Sequence, residues 1–591
     1  MRRRDWLKSG FAITTTGLLP MPAQPDEIPA NPATKSLYAL FASEWDYQME
    51  RNPTWASTLG DRRWNNRWPD VSLEGIARDH QHSLEVIQKL KGIDRSALAS
   101  GDQLNYDLFK RDYEIGVEEY QYRWYLVPLN QRGGIQTANE LSDALRFEKV
   151  KDYEDWVARL QSFPTYMDQT MALMREGIRA RMLLPKIIMQ RVPAQIDKQI
   201  VADSSESPFY KPFKRFPSSI FADEQVRLAT TARTAIRSGV LPAFQRFKEF
   251  FVSEYLPASF DQVGAWQMPN GPEMYAFFAR RYTTTSMTPE EIHQIGLSEV
   301  QRIRGEMRAS RERAGFQGSL NEFFQFLRTD PRFYYNTPDE LLTGYRALAK
   351  RIDPNLVKGF RTLPRLPYGV EPIPEAVAPD TTAAYYFPGA ADGSRAGTYY
   401  VNLYKPETRP KWEMVALSLH ESVPGHHLQI ALAMEQPELP NFRRFGQNDA
   451  FVEGWALYAE SLGEEMGLYD NPYVEFGRLT YEMWRAVRLV VDTGIHLMRW
   501  DRQRAISYFM ENAAKTELDV VNEIDRYSAW PGQALAYKIG QLKIAELRRR
   551  ASEALGERFD LREFHDVVLS QGALPLDTLG RYVDDWIKTK R

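Results

Sequence analysis

Two observations predict a mostly α-helical fold for this chain, and a third bounds its size. Apolar residues recur every three and four positions over most of its length, and strand-like alternation is scarce. With 591 residues and 43% hydrophobic content, it can bury the core of one large domain or of two closely packed lobes.

The chain opens Met1-Arg-Arg-Arg-Asp-Trp-Leu-Lys8, followed by a weakly apolar run, Gly10–Met21. A paired arginine ahead of Trp6-Leu7-Lys8 and a run too short to span a bilayer resemble a twin-arginine export signal. Residues 1–23 are therefore expected to be removed, and the product to be periplasmic or secreted. No later segment reads as an integral membrane span.

From about Ala33 to Lys350 the helical period dominates, with helices expected over Ser36–Arg51, Ser72–Leu90, Asp152–Arg179, Asp223–Tyr255 and Thr288–Arg313. Loops are expected at Asn52-Pro53, at Gly133-Gly134 and through the Ser- and Pro-rich 203–219. Acidic and basic residues interleave along these helices, as on solvated faces. Residues 24–352 thus read as a helical N-terminal lobe. A proline-rich zone, 353–388, introduces the second lobe, 353–591, and leads into the one strand region, Ala383–Phe387 and Gly397–Tyr404.

The second lobe carries the chemistry. Leu417–Gln429 reads L-S-L-H-E-S-V-P-G-H-H-L-Q, which gathers three of the eight histidines and a glutamate. In H-E-x-x-H, two imidazoles one helical turn apart grip Zn²⁺ while the glutamate activates a water. Here the second histidine arrives late, as His426 or His427. Seven residues of unbroken helix would separate the imidazoles by about 10 Å, too far for one ion. The spacing therefore requires Pro424-Gly425 to be extruded: proline breaks the helical bonding and glycine accepts unusual angles. His420 with His426, or with His427, are the expected ligands of one zinc ion per chain.

A third ligand is expected from Phe451–Glu460, a helix-like stretch in which Glu453 is flanked by Phe451, Val452 and Trp455. Glu460, on the same helical face, is a partner for a ligating histidine or the ligand itself. Glu421 is the expected proton acceptor. Arg488, Asp492 and His496 recur at helical spacing with Arg485 close by, so His496 or an arginine such as Arg488 either faces the cleft, donating to an oxyanion or to a substrate carboxylate, or belongs to an internal polar ladder. Tyr527 and Tyr537 flank a break at Pro531-Gly532, and each can offer a phenol to an oxyanion. The strand residues Gly397, Tyr399, Tyr400 and Asn402 are expected to form an edge that pairs with an extended peptide. His80, His82, His293 and His565 have no metal-like company.

Composition narrows the alternatives. With no cysteine there is neither disulfide nor thiolate chemistry, which leaves His, Glu and Asp as ligands. A net charge of −3 offers no footprint for nucleic acid.

Taken together, Arg51–Gly60, the H-E-S-V-P-G-H-H segment, Glu453-Gly-Trp-Ala456, Val491–His496 and Tyr527…Pro531-Gly-Gln…Tyr537 resemble the bacterial proteins grouped as domain of unknown function 885. The resemblance covers nearly the whole mature chain. That family looks like a distant relative of mostly helical zinc peptidases such as thimet oligopeptidase, angiotensin-converting enzyme and the thermostable carboxypeptidases. The resemblance implies a deep cleft between two halves and a small sheet beside the zinc helix. The expected function is therefore an exported zinc metallopeptidase acting on oligopeptides, with a metal-dependent amidase or esterase and a non-catalytic periplasmic binding protein as the alternatives.

Overall fold

The computed structural model describes residues 31–375, 378–390, 393 and 395–591. The expected export segment, 1–23, lies outside the described residues.

Helices form most of the chain, and local chemistry sets their ends. Helix α1 spans Pro32–Arg51 and α2 spans Leu73–Lys91, with the Ser72 hydroxyl accepting from Gly75 N at its start. A 31-residue helix, α3, covers Val150–Ala180. Helix α4, Pro289–Arg313, begins in a reciprocal cap: Thr288 Oγ1 accepts from Glu291 N, and the Glu291 carboxylate accepts from Thr288 N. The stretch expected as one helix over Asp223–Tyr255 is helical but widened at Ile236–Val240 and again at Phe251–Tyr255. Pro242 and Pro257 follow directly. Each lacks an N–H and crowds the preceding turn, so that turn opens.

The sheet has three strands, β1 (Tyr368–Pro372), β2 (Ala384–Phe387) and β3 (Gly397–Val401), in the order β1-β3-β2. Strand β3 runs parallel to β1 and antiparallel to β2, with Tyr399 opposite Val370 and Tyr386. The expectation that Gly397–Asn402 presents a free edge is therefore corrected: both sides of β3 are already paired. Strand β1 is obscured in the sequence by Pro372 within it and Pro367 just before it, which an edge strand tolerates. The buried face of β3, carrying Tyr399 and Val401, lies against the next helix, where Tyr399 Oη is 3.4 Å from Ser418 Oγ.

Six further helices build the region around that sheet: α5 (Met414–Glu421), α6 (His426–Met434), α7 (Asp449–Ser461), α8 (Pro472–His496), α9 (Glu517–Ala529) and α10 (Ala536–Leu555). Helix α8 is buried along almost its whole length and packs lengthwise on α4. A Cβ at Gly296 would press on Leu489 and Val490, so glycine lets these two helices approach closely. One hydrophobic core runs from the sheet through α5 and α8 to the C-terminal helices. A second fills residues 126–292, and the two meet where Leu489 and Ile539 join the second while Val490 and Ile544 join the first.

A buried ionic group pins the same junction. Lys538 Nζ, wholly buried on α10, lies 2.9 Å from Glu299 Oε2 on α4 and 2.8 Å from Glu482 Oε1 on α8. Glu482 also meets Arg478 at 2.9 Å, and Arg302. Burial alone would favour the neutral acid, but Lys538, Arg302 and Arg478 outweigh it and hold Glu482 well below the usual carboxylate range. Removing one partner of such a group leaves an uncompensated buried charge.

Candidate metal centre

The helix that should carry both histidines is broken in two, as the spacing requires. Helix α5 stops at Glu421 and α6 restarts at His426. Ser422 N still bonds to Ser418 O at 3.0 Å, and His427 N reaches back to Ser422 O at 3.0 Å, so the chain steps out and returns across the insertion. The Val423–Pro424 peptide is cis. Trp455 Nε1 on α7 donates to Pro424 O at 2.8 Å and anchors the step. A Cβ at Gly425 would collide with the carbonyl oxygens of His420 and Leu419, so no other residue fits that turn without moving it.

This step brings His420, His426 and Glu453 together, one candidate ligand atom of each lying within 4.8 Å of the others. Glu453 Oε2 is 3.7 Å from His420 Nε2 and 3.4 Å from His426 Nε2. Atoms bound tetrahedrally to one zinc at about 2.0–2.1 Å would lie roughly 3.3 Å apart. Glu453 Oε2 and His426 Nδ1 are both buried without a hydrogen bond. The donor set of two imidazoles and a carboxylate suits zinc.

Glu453 reaches the trio because α7 and α10 cross closely. At Gly454 a Cβ would lie 2.5 Å from Gly540 Cα, and at Gly540 it would strike the Ala450 carbonyl. Behind the trio, His420 Nδ1 and Glu460 Oε1 are 2.8 Å apart, and Arg485 Nη2 lies 3.4 Å from the same oxygen. With Nδ1–H donating to Glu460, the His420 lone pair is left on Nε2, facing Glu453. Burial opposes protonation of His420, yet Glu453 and Glu460 prevail and raise it to about 9. Burial likewise works against the Glu453 anion, but His420 and His426 overcome it and hold Glu453 well below its usual range.

His427 is not part of this cluster. Its Nε2 lies 3.0 Å from Leu366 O and its Nδ1 2.9 Å from Tyr386 Oη, so both nitrogens are engaged against the sheet, and burial lowers it to about 4. Gly397 adjoins that ring, where a Cβ would sit 2.9 Å from His427 Nδ1. The break turns His426 inward to Glu453 and His427 outward to the strands.

Glu421 ends α5 beside His420, and among the described residues no hydrogen bond holds its carboxylate. Tyr537 lies within electrostatic reach of Glu453 on α10; burial, then Glu453, raises its phenol. Tyr527, expected as another oxyanion donor, is tied elsewhere. Its hydroxyl donates to Glu523 at 2.7 Å and accepts from Trp484 Nε1 and Arg488 Nε at 2.9 and 2.7 Å. His496 joins the internal ladder: Nδ1 accepts from Ala265 N at 2.9 Å and Nε2 donates to Tyr527 O at 2.9 Å. Its burial lowers it to about 4.

The strand residues are structural too. Tyr399 is fully buried and the Tyr400 ring packs at a tilt against Tyr385. The Asn402 amide donates to the carbonyls of Ala378, Thr381 and Thr382. Arg485, one turn before Arg488 on α8, stands against Glu460 behind the trio.

The family described as bacterial protein of unknown function (DUF885) matches residues 53–583. A solved structure from Colwellia psychrerythraea, described as a "putative lipoprotein", superposes with a TM-score of 0.87 at 30% identity, covering 94% of this chain and 99% of that one. A second, from Shewanella oneidensis and described as a "putative lipoprotein of unknown function", gives a TM-score of 0.69 at 18% identity, covering 93% and 99%, and shares the fold. No curated protein matches. Among the described residues no helix is long and apolar enough to cross a membrane. With the match running from Pro53 to Val583, the chain belongs to the DUF885 family.

Proposed function

We propose that this chain is an exported zinc-dependent metallopeptidase that hydrolyses oligopeptides in a cleft between two helical lobes. The observation that carries the reading is the convergence of His420, His426 and Glu453 next to a glutamate, Glu421, that among the described residues no hydrogen bond restrains. These are the parts of a zinc hydrolase site, assembled across an insertion that would otherwise have pulled them apart. The paired arginines at Arg3-Arg4 and the description of the two structural neighbours as lipoproteins support export.

In this reading His420, His426 and Glu453 hold the ion, and Glu460 fixes the His420 ring. Bound zinc supplies Lewis acidity, acidifying water and polarising a carbonyl. Glu421 takes the proton released when water oxygen adds to the peptide carbonyl carbon. It then delivers that proton to the amine nitrogen as the C–N bond breaks. Tyr537 donates its hydroxyl to the carbonyl oxygen as charge develops there.

The test is elemental analysis of the purified protein and of His420→Ala, followed by a peptide library read by mass spectrometry. About one zinc per wild-type chain, none in the variant, and cleaved peptides are expected. A wild-type chain that takes up no metal after zinc is added back would sink the proposal. Zinc uptake with hydrolysis of esters or acyl-amides but no peptide would instead make it a hydrolase of another class.

A further inference from the structure

Next to Tyr537 the protein buries positive charge that its own carboxylates do not balance. Arg488 on α8 donates from Nε to Tyr527 Oη and from Nη2 to Glu523 Oε2 at 3.0 Å, and its guanidinium lies over the Tyr537 ring at 4.1 Å. Its Nη1 has no hydrogen-bond partner, although the residue is only 5% exposed. Arg526 on α9, 6% exposed, donates from Nη1 to Gln533 Oε1 at 3.1 Å. Its Nη2 sits 3.3 Å from Glu523 Oε2 without hydrogen-bond geometry, and its Nε has no partner.

Arg132 is the third member. It comes from the other core, on a turn closed by Asn130 N bonding to Gly133 O at 3.0 Å, and its Nη1 reaches to 3.8 Å from Glu523 Oε1. Its side chain stays 43% accessible, yet burial, then Arg526, press its guanidinium below the ordinary value. Arg132 is thus the member of the three that solvent reaches most readily.

Glu523 is the one carboxylate in contact with all three. Asp492, also within electrostatic reach of Arg488 and Arg526, is committed to Tyr275 Oη at 2.6 Å and Gly532 N at 3.1 Å, and burial raises it to about 7. Buried guanidinium groups cost several kcal/mol each when unpaired, and unsatisfied buried donors are uncommon enough to need a reason. A planar anion with two oxygens is what forked N–H donors bind best. Both guanidinium groups lie over the Tyr537 ring, and Tyr537 is within electrostatic reach of Glu453, so an anion held here would stand near the candidate ligands.

We propose that Arg132, Arg488 and Arg526 form a subsite for the free α-carboxylate of a peptide's last residue, which makes the chain a carboxypeptidase-type exopeptidase. The exopeptidase part rests on the metallopeptidase reading above; the carboxylate subsite does not.

Two measurements separate them. First, the Tm of metal-free protein is followed with a pool of N-acetylated tripeptides bearing free carboxylates, and with the same pool as C-terminal amides. The free-acid pool is expected to raise Tm and the amide pool to leave it unchanged. Arg132→Gln, at the most accessible of the three arginines, should abolish the rise, and Arg132→Lys should restore part of it. Equal responses to acids and amides, or none to either, overturn the subsite. Second, zinc-loaded protein is given both pools. A kcat/KM at least about tenfold higher on free acids, falling to parity in Arg132→Gln, supports exopeptidase action; equal cleavage of both pools overturns it. If neither pool is cleaved while the Tm difference persists, the metallopeptidase reading fails and the carboxylate subsite stands.

Discussion

His426 Nε2 lies 3.4 Å from Glu453 Oε2, although the two residues belong to helices separated in sequence by a loop and one of them follows a Pro-Gly insertion. The contact exists because the inserted pair is looped out and α7 is pulled tight against α10 at Gly454 and Gly540. Both devices are testable.

Metal retention should separate the adjacent histidines. If the wild-type chain takes up zinc as proposed, His426→Ala and His420→Ala are each expected to fail to retain it. His427→Ala should keep it, because its nitrogens are spent on Leu366 and Tyr386. Elemental analysis after gel filtration checks all three, and loss of metal from His427→Ala alone would reverse the assignment.

Glu421→Gln should retain metal and fold while peptide turnover falls by about 10²–10⁴, the usual contribution of a general base. Unchanged kcat would remove Glu421 from the proton path.

Gly454→Ala should lower stability by about 1–3 kcal/mol, the usual cost of forcing a methyl group into a packed contact, since the new Cβ would meet the Gly540 backbone. Backbone cannot swing aside as a side chain can. Zinc affinity should fall with it, because Glu453 is the preceding residue. Urea unfolding and a zinc titration on the same variant check both.

Stability of the metal-free protein should fall on both sides of neutrality. His427, His496 and His565 are held neutral by burial, at about 4, 4 and 3. The unfolded chain takes up protons below about pH 6.5 that these sites refuse, so stability is lost as pH falls from 6.5 towards 4. Each contributes roughly 3 kcal/mol at the low end, at about 1.4 kcal/mol per pH unit. His420 has the opposite sign. Raised to about 9, it contributes stability that is complete below 6.5 and lost as pH rises through 9. Urea unfolding across pH 4–10 should show both limbs, and His420→Gln should lack the alkaline one.

Much of this arrangement was legible along the chain. The helical period, the need to extrude Pro424-Gly425 and the candidacy of His420, His426 and Glu453 all follow from spacing, because bond lengths and helix rise are the same in every protein. Tyr527, His496 and the β3 residues were not legible as structural groups. Their chemistry suits a site equally well, and one sequence does not reveal which side chains face one another. For the same reason, Arg132 gave no local sign of joining Arg488 and Arg526.

By itself, then, the sequence determined a mostly helical chain, a helix broken at Pro424-Gly425 and a short list of candidate ligands, since each depends on neighbours within a few residues. Only the tertiary structure decided between His426 and His427, put β3 in the middle of its sheet and set Arg132 beside Glu523. Those outcomes depend on which distant surfaces pack together, and packing is settled by the whole core at once.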